Sequence, residues 1–355
     1  MPSDGSIFGL RAGVMAGLFV VGCASAPPTP PAGPAAPARP RSYAMSAVAL
    51  PGATADGVGM DYLLYDSRTS ALWVPAGNTG SVDVIAAAGT VHRIEGFATA
   101  EVERRGAKRT VGPSAAALGP RGTVYIGNRG DSSICAVDET TLALGTCSKL
   151  DASPDGVIHV PLTHEVWVTT PRDKSVRVLD DTTLAQKARL AYDGAPEGFA
   201  IDEQRHRFYT NLEDKDVTLA VDLVTHATLA TWQPSCGEDG PHGIRGVDGE
   251  GLLIVACSDK VEVLDVGHDG KIVGSIKVGD GVDDLDYEPA SRRVFAGGAG
   301  AGSLTIGVLG KDGSLTTESV VPTAKGARNG VVGRSGQVYL SHSRPGEILV
   351  VTPAP

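Results

Sequence analysis

The feature that most constrains this chain is a strand–turn–strand text that recurs seven times. Its clearest copy runs from Gly194-Ala195-Pro196-Glu197-Gly198-Phe199-Ala200-Ile201-Asp202 to Phe208-Tyr209-Thr210-Asn211. The apolar run that ends each copy is Leu72-Trp73-Val74, Val124-Tyr125-Ile126, Val166-Trp167-Val168, Phe208-Tyr209-Thr210, Leu253-Ile254-Val255, Val294-Phe295-Ala296 and Val338-Tyr339-Leu340. About eleven residues before these lie Asp61, Pro113, Asp155, Glu197, His242, Asp283 and Ala327, at successive spacings of 52, 42, 42, 45, 41 and 44. Short β-branched and aromatic runs, cut by Gly, Pro and Asp turns at a period in the forties, specify an all-β propeller with four antiparallel strands per blade. Seven copies predict seven blades.

The N-terminal segment lies outside this periodicity. After Arg11 the apolar run Ala12 to Val21 is too short for a permanent membrane span, and it leads into Val20-Val21-Gly22-Cys23. A small residue before a cysteine there looks like a bacterial lipobox, so residues 1–22 read as a lipoprotein signal peptide and Cys23 as the lipidated residue. Residues 23–41 are rich in Ala and Pro and read as an extended linker, leaving 42–355 for the propeller. Ala24, in place of Asp, predicts outer-membrane sorting by resemblance to enteric lipoproteins, with membrane contact through the anchor only.

Tyr43 to Pro51 precede the first repeat and read as a lone strand, whereas the last repeat has room for only three. The N-terminal strand is therefore expected to complete blade seven, so that no long sheet edge stays open. The insertion Gly96 to Val111 accounts for the spacing of 52 and carries Glu101, Glu103, Arg104, Arg105, Lys108 and Arg109. It reads as a solvated loop or short helix, or as a basic flap over one face. The aspartates that end third strands, Asp138, Asp180, Asp222 and Asp265, are expected to start hairpin turns. Trp73, Trp167 and Trp232 fall in strands and are expected in the core.

In an exported chain, the four cysteines beyond Cys23 suggest disulfides. Cys135 and Cys147 flank Glu139-Thr140-Thr141-Leu142 symmetrically and would face each other across a hairpin; Cys236 and Cys257 are expected on one face of the disc. The formal charge of −10 argues against a nucleic-acid partner, and the absence of C-x-x-C-H argues against covalent haem. No G-x-S-x-G elbow, Walker loop or H-E-x-x-H motif occurs.

Residues at equivalent positions in a propeller form a ring about its axis. Five of the seven ring positions, Asp61, Asp155, Glu197, His242 and Asp283, carry potential metal ligands. Gathered carboxylates repel unless a cation or proton intervenes, so a divalent ion is expected: calcium or manganese for an oxygen-rich set, manganese, iron or zinc if His242 joins. The Pro-x-Gly text at 154–156, 196–198 and 241–243 is also turn chemistry that accounts for the same residues without a metal. Loops on this face carry Asn128, Arg129, Arg172 and Asn211, which with Arg328 are candidates to orient a carboxylate or phosphate.

Val166-Trp167-Val168-Thr169-Thr170 and Phe208-Tyr209-Thr210-Asn211-Leu212, each followed by a third strand ending in Asp, resemble the YVTN-type propeller repeat of bacterial surface and periplasmic proteins. Asp155-Gly156-Val157 and Glu197-Gly198-Phe199 are also similar to the inner-strand starts of calcium-dependent lactonases of the gluconolactonase and paraoxonase kind. The second resemblance implies a calcium site and lactone hydrolysis; His242 departs from its all-oxygen ligand set. The expectation is a monomer that binds a small anionic ligand or a protein partner at its central face. The alternatives are a metal-dependent hydrolase of lactones or esters and a surface scaffold.

Overall fold

The structure is a computed structural model that describes Gly13, residues 42–104 and residues 106–354. The signal segment 1–22 apart from Gly13, Cys23 with the rest of the linker to residue 41, Arg105 and Pro355 lie outside the described residues. The strands form seven four-stranded antiparallel sheets and one two-stranded sheet. Blade one is Leu64–Asp66, Ala71–Ala76, Ser81–Ile85 and Val91–Ile94, and each later blade repeats the meander. Blade seven takes three strands from the C-terminus, Ala327–Val332, Val338–His342 and Glu347–Pro353. Its fourth is Tyr43–Ala49, paired antiparallel from Tyr43↔Pro353 to Ala49↔Glu347. The ring thus closes through backbone hydrogen bonds between the two ends of the folded chain.

Second strands are buried on both faces because each blade is sandwiched between two others, which is why their text is continuously apolar. Trp73, Trp167 and Trp232 are all buried, and the Trp167 ring meets Phe208 of the next blade at 4.7 Å between centroids. The third-strand aspartates act as the sequence predicts. In each of three blades Oδ1 of Asp138, Asp180 or Asp222 accepts from two backbone N–H groups of its turn and from a threonine hydroxyl, Thr141, Thr183 or Thr225. These bonds favour the ionised form and hold all three carboxyls below their ordinary range. Both disulfides form, Cys135–Cys147 across the outer pair of blade two and Cys236–Cys257 between the segment that leads into blade five and the end of its second strand.

The insertion between blades one and two departs from the loop or short helix expected. It is a β-hairpin, Ala100–Arg104 paired with Ala107–Val111, turning at Gly106 with φ of +73°. Opposite charges sit across it, and Lys108 reaches Glu101 at 3.6 Å. Its base is fixed where Phe97 enters the core shared by blades one and two.

Candidate functional site

The start of each first strand and the end of each second strand meet on one face of the disc, so the ring positions and the rim loops converge there. The structure divides this face into two differently built halves.

On one side, Arg129 follows the second strand of blade two, and its backbone N–H is held by the Gly112 carbonyl at 2.9 Å. One amino group, Nη2, donates both to Asp61 Oδ2, at 2.6 Å, and to Asp155 Oδ1. Asn329 donates from Nδ2 to the other oxygen of Asp61, at 3.1 Å. Asp155 Oδ2 and Asn329 Oδ1 stay buried without partners. Despite Arg129, burial lifts the Asp61 carboxyl to about 6, and Asp155 and Asp283 add to the rise. Burial also pushes Glu197 well above the carboxylate range, reinforced by Asp155, Glu213, Asp61 and Asp283. Its protonated form therefore persists to higher pH than that of an ordinary glutamate. The Tyr62 ring packs on Phe199 at 5.5 Å, and its hydroxyl is raised by burial and then by Glu197.

On the other side a cavity of about 460 Å³ opens between blades four and seven. His242, Asp283 and Arg328 line it, with Glu213, Asp214, Glu238 and Asp239 on its wall. Arg328 Nη1 meets Asp283 Oδ1 at 3.0 Å. His242 Nδ1 is buried without a partner, and burial pulls the imidazole below its ordinary value, although Asp283 and Asp239 oppose this. The backbone carrying His242 is fixed from two directions. Asn211 Nδ2 donates to the His242 carbonyl at 2.6 Å while its Oδ1 accepts from Thr218 at 2.7 Å, and the Gly243 N–H donates to the Asp283 carbonyl at 2.9 Å. A side chain at Gly198 would collide with the His242 carbonyl, a Cβ falling 2.1 Å from its oxygen, so the glycine of the repeat text is needed for this approach.

Two ligand candidates change role. Asn211 is fully buried and supports His242, and Asn128 is buried with its amide spent on Asp131 and Gly130. Arg129 is committed to two carboxylates, Arg172 is exposed on the rim, and Arg328 reaches the cavity. The five expected metal ligands do not gather at one point: among the described residues no three His, Cys, Asp or Glu side chains are placed to hold a metal ion. The ring positions were legible, but a linear text does not say that Arg129 turns inward between Asp61 and Asp155.

No protein-family model matches the chain, and no curated protein matches it. Solved structures share its fold. A streptogramin B lyase superposes with a TM-score of 0.69 at 12% identity, over 88% of this chain and 98% of that one. A catalytically inactive histidine-to-alanine virginiamycin B lyase from Staphylococcus aureus, with quinupristin, gives 0.68 at 12%, over 88% and 100%. Kuenenia stuttgartiensis hydrazine synthase gives 0.67 at 14%, over 86% and 98%. The fold is a seven-bladed propeller. Identities this low speak to architecture alone.

Proposed function

We propose that this propeller is an enzyme that cleaves an ester or lactone bond in the cavity between blades four and seven, by acid–base chemistry centred on His242. The observation that carries the reading is the state of His242: a cavity-lining imidazole, biased toward its neutral form, with a buried ring nitrogen that no protein group satisfies. Neutral imidazole is the form that accepts a proton. Arg328, held by Asp283, supplies guanidinium donors for negative charge developing on a carbonyl oxygen. Glu197 does not line the cavity, but it lies close enough to Glu213 of the wall for the two charges to interact, and its carboxyl keeps its proton to higher pH than an ordinary glutamate.

Lyases among the structural neighbours, one of them inactive as a histidine-to-alanine variant, favour an enzymatic role over a scaffold. The wall carries five carboxylates, Glu213, Asp214, Glu238, Asp239 and Asp283, of which Asp214 pairs with Lys174 and Asp283 with Arg328. That balance favours a neutral or cationic substrate over the small anionic ligand expected from the ring text.

The test is a panel of neutral and amine-bearing esters and lactones, run with wild type and His242→Ala in H2¹⁸O. Turnover that disappears with His242→Ala supports the reading. Label in the acid product marks hydrolysis, and an unsaturated product without label marks elimination. Turnover indifferent to His242, or none across the panel, counts against it.

A further inference from the structure

The metal that the lactonase resemblance implies does not fit the residues that would hold it. Both oxygens of Asp61 are taken, one by Arg129 and one by Asn329, and Asp155 gives its Oδ1 to the same guanidinium. A divalent ion placed between these carboxylates would meet the permanent positive charge of Arg129. The three charged side chains are largely enclosed, at 22% exposure for Arg129, 17% for Asp61 and 14% for Asp155, so water screens the repulsion weakly.

We propose that Arg129 is the resident cation of the axial carboxylates, occupying the role of a divalent metal, so that the native chain needs no divalent ion at this position. The repulsion between ring carboxylates that calls for a cation is met by a side chain covalently fixed in blade two. A guanidinium suits the place because its planar donor group can serve two carboxylates at once and does not lose its charge. Asn329 completes the arrangement from blade seven. It holds a left-handed backbone, φ +51°, which asparagine tolerates better than most residues, and its amide directs a donor onto Asp61. The two acceptors left over, Asp155 Oδ2 and Asn329 Oδ1, are both oxygens. Removing the guanidinium would therefore leave an oxygen-only set, the chemistry of a hard cation such as Ca²⁺.

The inference does not depend on an ester substrate being found, and its readouts are metal content and melting temperature. Wild type, Arg129→Met and Arg129→Lys are stripped with chelator and dialysed against CaCl2 or MnCl2. Wild type and Arg129→Lys should retain no ion and show no shift in melting temperature. Arg129→Met should melt lower without metal, then gain about one equivalent of Ca²⁺ and recover part of the loss, since a ligand that binds only the folded state raises its stability. One equivalent held by wild type and lost in Asp61→Asn would overturn the proposal, as would a folded Arg129→Met that gains no ion. If Arg129→Met does not fold with or without Ca²⁺, the wild type decides. No uptake there, with the fold retained in Arg129→Lys, supports the resident cation; uptake abolished by Asp61→Asn refutes it.

Discussion

The two halves of the central face solve one electrostatic problem in opposite ways. Around Asp61 and Asp155 the charges are closed internally, with one guanidinium between two carboxylates and an asparagine behind them. Around His242 charged side chains line a cavity, and the buried Nδ1 of the imidazole has no protein partner. A site whose charges are already satisfied gains little from binding something else. A site whose desolvated donor or acceptor is unsatisfied gains from any ligand that completes it. The contrast separates the structural half of the face from the half proposed to react.

The sharpest way to break the comparison is His242→Ala. On an ester or lactone substrate it is expected to cost about 10²–10⁴-fold in kcat/KM, the usual contribution of a positioned acid or base. In wild type the acid limb of the kcat/KM profile should lie below 6.5, the ordinary histidine value, because burial lowers this imidazole and a protonated ring cannot act as base. A limb above that value would contradict the buried, neutral ring.

Arg328→Ala tests the other reacting group. Loss of a donor aimed at a developing oxyanion is expected to cost about 10²-fold in kcat, with a smaller change in KM. A change in KM alone would make Arg328 a ground-state binding residue.

Asn211→Ala asks whether the support beneath His242 matters. It leaves the His242 carbonyl without its side-chain donor and the Thr218 hydroxyl without its acceptor, and urea unfolding should show a loss of about 1–3 kcal/mol. Activity should fall further than that of an equally destabilised variant elsewhere, because the backbone carrying His242 is no longer fixed.

The smallest effect is expected on the closed half. The Asp61 carboxyl is raised from 3.8 to about 6, so between these values the folded chain binds more protons than the unfolded one. Its contribution to stability therefore falls as pH rises through that window. Asp61→Asn removes the slope, and its stability relative to wild type should rise by about 1–2 kcal/mol from pH 4 to pH 6. Parallel curves would show that the Arg129 pairing, and not burial, sets the ionisation of Asp61.

Legibility followed the range of the interaction. Asp138, Asp180 and Asp222 could be assigned to turns because their partners lie two and three residues away. Cys135 and Cys147 could be paired because a hairpin is a local object, 12 residues from end to end. The hairpin in the insertion has only a weak local signal, Gly106 and the opposed charges of Glu103 and Lys108, in a charged text that equally suits a loop or short helix. The ring positions followed from the period, but their partners did not. Arg129 is 68 residues from Asp61, and Asn329 is 268. Asn128 and Asn211 read as ligand groups because a polar residue at a strand end has the same text whether its amide faces a ligand or a neighbouring backbone.

The sequence alone determined the architecture: seven copies of a strand–turn–strand text, their turns, two disulfides and a closing N-terminal strand. Each follows from pairing within a blade or from a repeat that must close on itself. Only the tertiary structure decided the chemistry of the central face, where residues from five or more blades meet. There the decisive facts are which carboxylates are already paired, which imidazole is buried without a partner for Nδ1, and where the cavity opens. All three depend on burial and on distances between side chains far apart in the chain, and no local pattern encodes them.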